Sequence, residues 1–344
     1  LSFAVVHGGM TLPSVTIDDY NAELRDHEGF IGDRASNRAF RSLLDDLRGR
    51  LAVHGADPLG DAASAALSKS ELDRMLRDGA PEIAGVIHSA IEDFAQEFAA
   101  VLRRFMKLPG WQGTERVVVG GGLRDSRVGE LAVGRAHVLL RGEGLDIALV
   151  PIRNDPDEAG LLGGVHLAPA WIFQGHDCIL SMDIGGTNAR AGLVLLNQKR
   201  AADLSRAKVV DMEHWRHRDD EPTRDEAVER LVSMLKGLIK RAGKEGHALA
   251  PFIAVGCPGL IAEDGHIERG GQNLPGKWEH AAFNLPRLLV EAIPEIGGHE
   301  THVVMHNDAV VQGLSEVPFM QDVRRWGVMT IGTGLGNARF SNRG

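Results

Sequence analysis

The chain has 344 residues, 43% of them apolar and 25% charged, an ordinary globular composition in a length that exceeds one hydrophobic core and implies two lobes. Its 38 basic against 47 acidic residues leave a net charge of -9 with no basic run to offset it, which argues against a protein that holds nucleic acid through phosphates. Two cysteines, Cys178 and Cys257, supply neither a disulfide framework nor a Cys-rich zinc site, no apolar run reaches membrane-spanning length, and Leu1 to Gly9 lack a secretory pattern, so a cytoplasmic protein without membrane contact is expected, and the absence of an initiating Met implies a clipped or incomplete start.

In chain order, Ile83, Val86, Ile87, Ile91, Phe94, Phe98, Val101, Leu102 and Phe105 trace a long amphipathic helix. Arg116 to Val119 and Ile147 to Ile152 are apolar runs bounded by glycine or polar residues and predict strands. Ala168 to Asp177, with Pro169 and Gly175, is the candidate linker. Ile179 to Met182 and Ala191 to Leu196 follow as strands close enough to form an antiparallel hairpin. Apolar residues at Val228, Leu231, Val232, Leu235, Leu238 and Ile239 predict a second helix. Thr223 and Glu226 form its capping box, and Gly243 is its expected carboxyl cap. Phe252 to Val255, His302 to Met305 and Trp326 to Ile331 complete the strands. Leu285 to Ile296 predicts a third helix that Pro294 ends or kinks. Strands alternating with helices imply an α/β fold.

Several strands empty into chemically distinctive turns. After Ile179 to Met182 comes Asp183-Ile-Gly-Gly-Thr-Asn188. Gly185 and Gly186 let backbone N–H groups approach a polyphosphate, Thr187 and Asn188 add side-chain donors, and Asp183 can hold Mg²⁺ through water. A plain hairpin turn is the competing interpretation. Gly332, Thr333, Gly334 and Gly336 follow the strand Trp326 to Ile331, so two glycine-rich turns could face one another across a cleft and clamp a triphosphate. A dinucleotide-binding turn fits this second cluster poorly, because the following helix and ribose-binding acid have no room before Gly344. Gly120, Gly121 and Gly122 end a third strand and suit a flat adenine, though a flexible turn explains them equally well.

His306-Asn-Asp-Ala309 stands at the carboxyl end of His302 to Met305, where open α/β sheets place ligands. Asp308 can serve as base for a hydroxyl in phosphoryl transfer, or merely cap the helix beginning near Ala309. His306 fits a structural role. The loops Gly256-Cys-Pro-Gly259 and Gln272 to Trp278 are rich in polar and turn residues, and Asn273 offers both donor and acceptor to a polyol.

Together and in this order, these elements resemble the ROK family of bacterial sugar kinases and sugar-sensing repressors, over residues 178 to 340. The resemblance implies a two-lobed actin-like ATPase (ribonuclease H-like) fold with mixed sheets flanked by helices. It assigns Asp183 to Asn188 and Gly332 to Gly336 as phosphate motifs, Asp308 as catalytic base, and Asn273 and Asn307, with Pro258 and Gly259, as sugar contacts. The cofactors implied are ATP and Mg²⁺, and the substrate is a hexose such as glucose. A homodimer is compatible with this, and a sugar-sensing protein without turnover is the alternative. Ser68 to Phe105, Val117 to Gly122 and Asp155 to Leu167 resemble the family's carboxyl-terminal half, with Gly120 to Gly122 as its adenosine motif and Ala159 to Gly164 as its closing helix. The order is therefore inverted, as in a circular permutant. The expected lobes are 1–168 completed by 326–344, and 178–325, joined by 169–177. The strand Trp326 to Ile331 is expected to join the amino-terminal half's sheet, with Leu1 and Gly344 in one lobe. The family's Cys-rich zinc loop is missing where Phe30 to Asn37 would align, so no zinc is expected, and His27 and Glu28 are the nearest candidates for its sugar motif.

Overall fold

The computed structural model describes residues 5–55, 57–122 and 125–343. Leu1 and Gly344, expected in one lobe, lie outside them. The chain forms two compact units. One holds the chain up to Asn21, Asp157–Arg324 and the stretch from Ala338 onward, and the other holds Ala22–Pro156 and Arg325–Asn337.

The first unit is built on a five-stranded sheet in the spatial order His302–Asn307, Leu249–Cys257, Cys178–Ile184, Ala189–Leu195, Lys208–Trp215. The first three strands are parallel, and Ala189–Leu195 runs antiparallel to both its neighbours. Numbered along the chain from Cys178 the order is 3-2-1-4-5 with the second strand reversed, the ribonuclease H-like arrangement that the resemblance implies. The central strand is buried at all seven positions because both its faces are covered. Leu231, Leu235 and Leu238 of the helix Arg224–Glu245 pack with Leu180, Met182, Leu193 and Val255 of the sheet. Each such side chain, fully buried, contributes roughly 1.5–3 kcal/mol. That helix starts at the expected capping box of Thr223 and Glu226. It ends one turn later than expected, at Gly246 with φ +77°, because only there does the backbone take the left-handed conformation that glycine tolerates. The third helix is shorter than its pattern, Leu285–Ala292. Pro294 has no N–H to continue it, and Glu295–Ile296 turns into a small hairpin with His299–Glu300. In the candidate linker, Phe173 is fully buried and meets Phe252 edge-on at 5.3 Å.

In the second unit Arg325–Ile331 pairs in parallel with Arg116–Gly120, which pairs in parallel with Ala148–Pro151. A buried strand must satisfy its backbone groups, and Arg325–Ile331 does so on a strand from the amino-terminal half. The expected helix appears as Pro81–Phe105, and its Phe94, Phe98, Leu102 and Phe105 share one core with the helices Asn37–Ala52 and Arg127–Gly142. After Ile331 the chain turns through Gly332–Gly334 into Leu335–Asn342, whose residues from Ala338 onward pair antiparallel with Val15–Tyr20 inside the first unit.

Candidate functional site

In the first unit, Asp183 is the penultimate residue of the central strand and Asp308 follows the parallel edge strand His302–Asn307, so both lie at the same end of the sheet. Gly256, on the strand between, shows how close they come. A Cβ there would lie 3.4 Å from Asp183 Oδ1 and 3.6 Å from Asp308 Cα. Asp183 is buried, and burial with the nearby Asp157 raises its pKa against the pull of the Arg190 guanidinium, which stands 3.7 Å from Oδ2. Oδ1 is buried without a hydrogen-bond partner.

Asp308 is the first residue of the helix Asp308–Leu314, and it is not the cap. Asn307 is. Its Oδ1 accepts the N–H of Ala309 at 3.0 Å and of Val310 at 3.3 Å, and its Nδ2 donates to the carbonyl of Gly259 at 3.0 Å. Asn307 therefore spends its side chain on holding the helix end and the Gly259 loop together. The Asp308 carboxyl has its pKa pushed up to about 7 by burial first and by Asp183 second, against the pull of the backbone N–H groups of Ala309 and of Asp308 itself. His306 is fully buried, its pKa pushed down to about 4 by burial, with Nε2 at 3.3 Å from the Gly9 carbonyl and Tyr20 packed on its ring. That is a structural position.

The turn after Asp183 is closed by the Gly185 N–H donating to the Asn188 carbonyl at 2.8 Å. Asn273 stands over it, since a Cβ on Gly186 would lie 2.8 Å from Asn273 Cβ. Pro258 and Gly259 form the bend between Leu249–Cys257 and Leu260–Ile261. Gly259 has φ +107°, and a Cβ there would meet the Arg269 carbonyl at 2.4 Å. Asp183, Gly185 to Asn188, Gly256 to Gly259, Asn273, Asn307 and Asp308 thus lie within one unit, around the carboxyl ends of its parallel strands.

Several residues at this place escaped the motif reading. Arg190 sits directly opposite Asp183 in the hairpin register and also pairs with Asp157. Hairpin arithmetic from the turn would have found it. Gly160 backs onto Asp183, and a Cβ there would come within 2.4 Å of the carboxyl carbon. His214 and His217 reach the turn from the edge strand and the helix after it, and no local signal announces them.

The second unit brings together the other two glycine clusters. Gly121 has φ +87° and stands so close to Ile331, the residue before Gly332, that a Cβ would lie 2.3 Å from its carbonyl oxygen. The Gly332 carbonyl accepts the N–H of Asn37, and the Thr333 carbonyl accepts Arg38 Nε at 3.3 Å. The Gly122 carbonyl accepts Lys69 Nζ at 2.8 Å. A cavity of about 170 Å³ opens beside Gly122, lined by Asn37, Phe40, Arg41, Lys69 and Ser126 among others. Glu28 sits in the small hairpin of Arg25–Asp26 with Gly29–Phe30 and pairs with Arg34 at 2.7 Å, while His27 is solvent-exposed.

The donor set fits Mg²⁺ held through water, because the partnerless Asp183 Oδ1 lacks the donor that such a water would provide. Among the described residues no group of three or more His, Cys, Asp or Glu side chains is placed to hold a metal ion directly. None of the described helices is long and apolar enough to cross a membrane.

No protein-family model matches the chain. No curated protein matches it either. Among solved structures it is similar to Lmo2764, a proposed N-acetylmannosamine kinase from Listeria monocytogenes, at 26% identity and a TM-score of 0.35 over 48% of this chain and 47% of that one. A proposed sugar kinase from Cytophaga hutchinsonii is 20% identical, with a TM-score of 0.34 over 48% of each chain. An exopolyphosphatase from the same organism is 14% identical, with a TM-score of 0.23 over 49% of this chain and 50% of that one. The matches span about half the length of each of these proteins.

Proposed function

We propose that the chain is an ATP-dependent sugar kinase of the ROK type, circularly permuted, that transfers the γ-phosphoryl group to a hydroxyl of a hexose such as glucose. One observation carries this reading. Asp308, at the end of a parallel strand beside a phosphate-type turn, is relieved of capping by Asn307 and retains a carboxyl poised near neutral pH. An aspartate so placed accepts the sugar's proton as the hydroxyl oxygen bonds to the γ-phosphorus and the bond to the bridging β–γ oxygen breaks, releasing ADP. Asp183 and the turn Gly185 to Asn188 hold the phosphates, while Asn273 and the Pro258–Gly259 bend orient the sugar. Bound Mg²⁺ would neutralise developing phosphate charge, held through water by Asp183.

The permutation has its own support. Counted from Arg325 and carried past the carboxyl end to the amino end, the strands are 325–331, 335–342, 15–20, 116–120 and 148–151. The third pairs antiparallel with the second, and the fourth pairs in parallel with the first and with the fifth. The same pairings hold in chain order from Cys178. On this reading Gly120 to Gly122 serve adenosine, Gly332, Thr333, Gly334 and Gly336 serve phosphate, and the nucleotide lobe, expected from 1–168 with 326–344, has the unit Ala22–Pro156 with Arg325–Asn337 as its compact body. Glu28 keeps its proposed sugar role, with its carboxylate held by Arg34 at 2.7 Å.

The test is Asp308→Asn. Loss of a general base costs about two to four orders of magnitude in turnover, with ATP and sugar binding largely retained. Near-normal turnover would remove Asp308 from the mechanism.

A further inference from the structure

The turn Gly185 to Asn188 carries more acceptors than an anion-binding loop should expose. Each peptide carbonyl pointing outward would repel a phosphate that the neighbouring N–H groups attract. Most of these acceptors are turned away. The Asn188 carbonyl accepts the Gly185 N–H at 2.8 Å, and the Thr187 carbonyl accepts the Arg218 N–H at 3.2 Å. The Gly185 carbonyl faces His217 Nε2 at 2.8 Å, and the Asn188 side-chain oxygen faces His214 Nε2 at 3.1 Å. A carbonyl can only accept, so in both rings Nε2 carries the hydrogen. For His217, burial holds the pKa below its ordinary value, which keeps the ring neutral in this tautomer.

The placement is specific. Strand register sets Ala189 opposite Trp215 and Arg190 opposite His214, so the chain leaves the edge strand alongside the turn. His217 is only 3% exposed, and Trp215 meets its ring edge-on at 5.7 Å. Trp215 is itself held by a 2.7 Å bond from its indole N–H to Asp220. With Oδ1 of Asn188 tied to His214, the amide NH₂ of the same side chain is the part left to donate.

We propose that His217 and His214 are positioning residues that preorganise the turn for a polyphosphate, by drawing the Gly185 carbonyl and the Asn188 side-chain oxygen back from it. This rests on the reading of Gly185 to Asn188 as a phosphate-holding turn. Preorganisation of this kind strengthens ground-state and transition-state binding alike, so its loss appears in KM more than in kcat.

The experiment measures binding of Mg-ATP and of inorganic tripolyphosphate by calorimetry to the full chain and to His217→Phe, His217→Gln and His214→Ala. His217→Phe is expected to lose about tenfold affinity for both probes, the worth of one buried hydrogen bond. The glutamine variant, which restores an N–H donor, should stay within about threefold of wild type. His214 is exposed, so His214→Ala tests the same idea without risk to folding, and a loss of about threefold is expected. Equal losses in the phenylalanine and glutamine variants, unchanged affinity in both His217→Phe and His214→Ala, or a wild type that binds neither probe would overturn the proposal. A wild type that binds both probes and phosphorylates no sugar would instead end the kinase reading and leave this one standing.

Discussion

Replacing Asp308 by asparagine should make the protein more stable at neutral pH even as it removes activity. Asp308 keeps its proton to about pH 7 in the folded state, against an ordinary 3.8, because burial and the adjacent Asp183 disfavour its charge. The folded state therefore binds this proton more tightly than the unfolded chain does. Below about pH 4 both states are protonated and the carboxyl is neutral in its effect. Between about pH 4 and pH 7 the unfolded chain ionises while the folded state keeps its proton, so stability is progressively lost, and the loss levels off once the folded carboxyl ionises above about pH 7. At 1.36 kcal/mol for each pH unit the ceiling is roughly 4 kcal/mol, and partial solvent access reduces the expectation to about 2 kcal/mol. Asparagine has the same shape and no charge, so its other effects are constant with pH and cancel in a difference. Urea unfolding of variant and wild type at pH 5 and pH 8 gives that difference directly. About a third of the loss has already occurred by pH 5, so the variant's advantage should be larger at pH 8 than at pH 5 by about 1 kcal/mol. An advantage that is equal at the two pH values, or larger at pH 5, would refute the claim that Asp308 is held in a charge-averse site.

Two further substitutions probe the surroundings. Gly160→Ala puts a methyl group 2.4 Å from the carboxyl carbon of Asp183, so that carboxylate must move. Turnover is expected to fall at least about tenfold with a destabilisation of about 1–3 kcal/mol, the usual range for overpacking, and unchanged turnover in a steady-state assay would show that the position of Asp183 is immaterial. Asn307→Ala removes a helix cap together with the tie to Gly259. A loss of about 1–2 kcal/mol in thermal unfolding is expected, with a parallel fall in sugar affinity as the bend at Pro258 and Gly259 loosens.

Much of this architecture is legible in the sequence because it is carried by local pattern. The helix Arg224–Glu245 announces itself through a capping box and a leucine stripe, and the strands that empty into glycines at 185, 259 and 332 do so through short apolar runs. The edge strand Lys208–Trp215 escapes notice because its exposure alternates while its residue types do not: the less exposed positions after Val209 include Asp211 and Glu213, which pair with Arg241. Leu335–Asn342 and Val15–Tyr20 are obscured by Asn337, Arg339 and Asp18, whose polar groups bond with other parts of the sheet instead of marking a loop. The aspartates of the site are recognisable from their turns, but the division of labour between Asn307 and Asp308 depends on which of two adjacent residues caps the helix. Spacing alone leaves that open. The histidines behind the phosphate-type turn arrive by sheet register from about thirty residues away, a relation that a linear motif does not encode.

Phosphoryl transfer is the chemistry on which all these residue roles depend. The direct measurement is ADP release from Mg-ATP by the purified chain against a panel of hexoses, amino sugars and N-acetylated sugars, with the phosphorylated product identified by mass. Sugar-dependent ADP release matched by a sugar phosphate in equal amount, and abolished in Asp308→Asn, is the predicted result; nucleotide and sugar binding with no sugar phosphate formed from any member of the panel would contradict it.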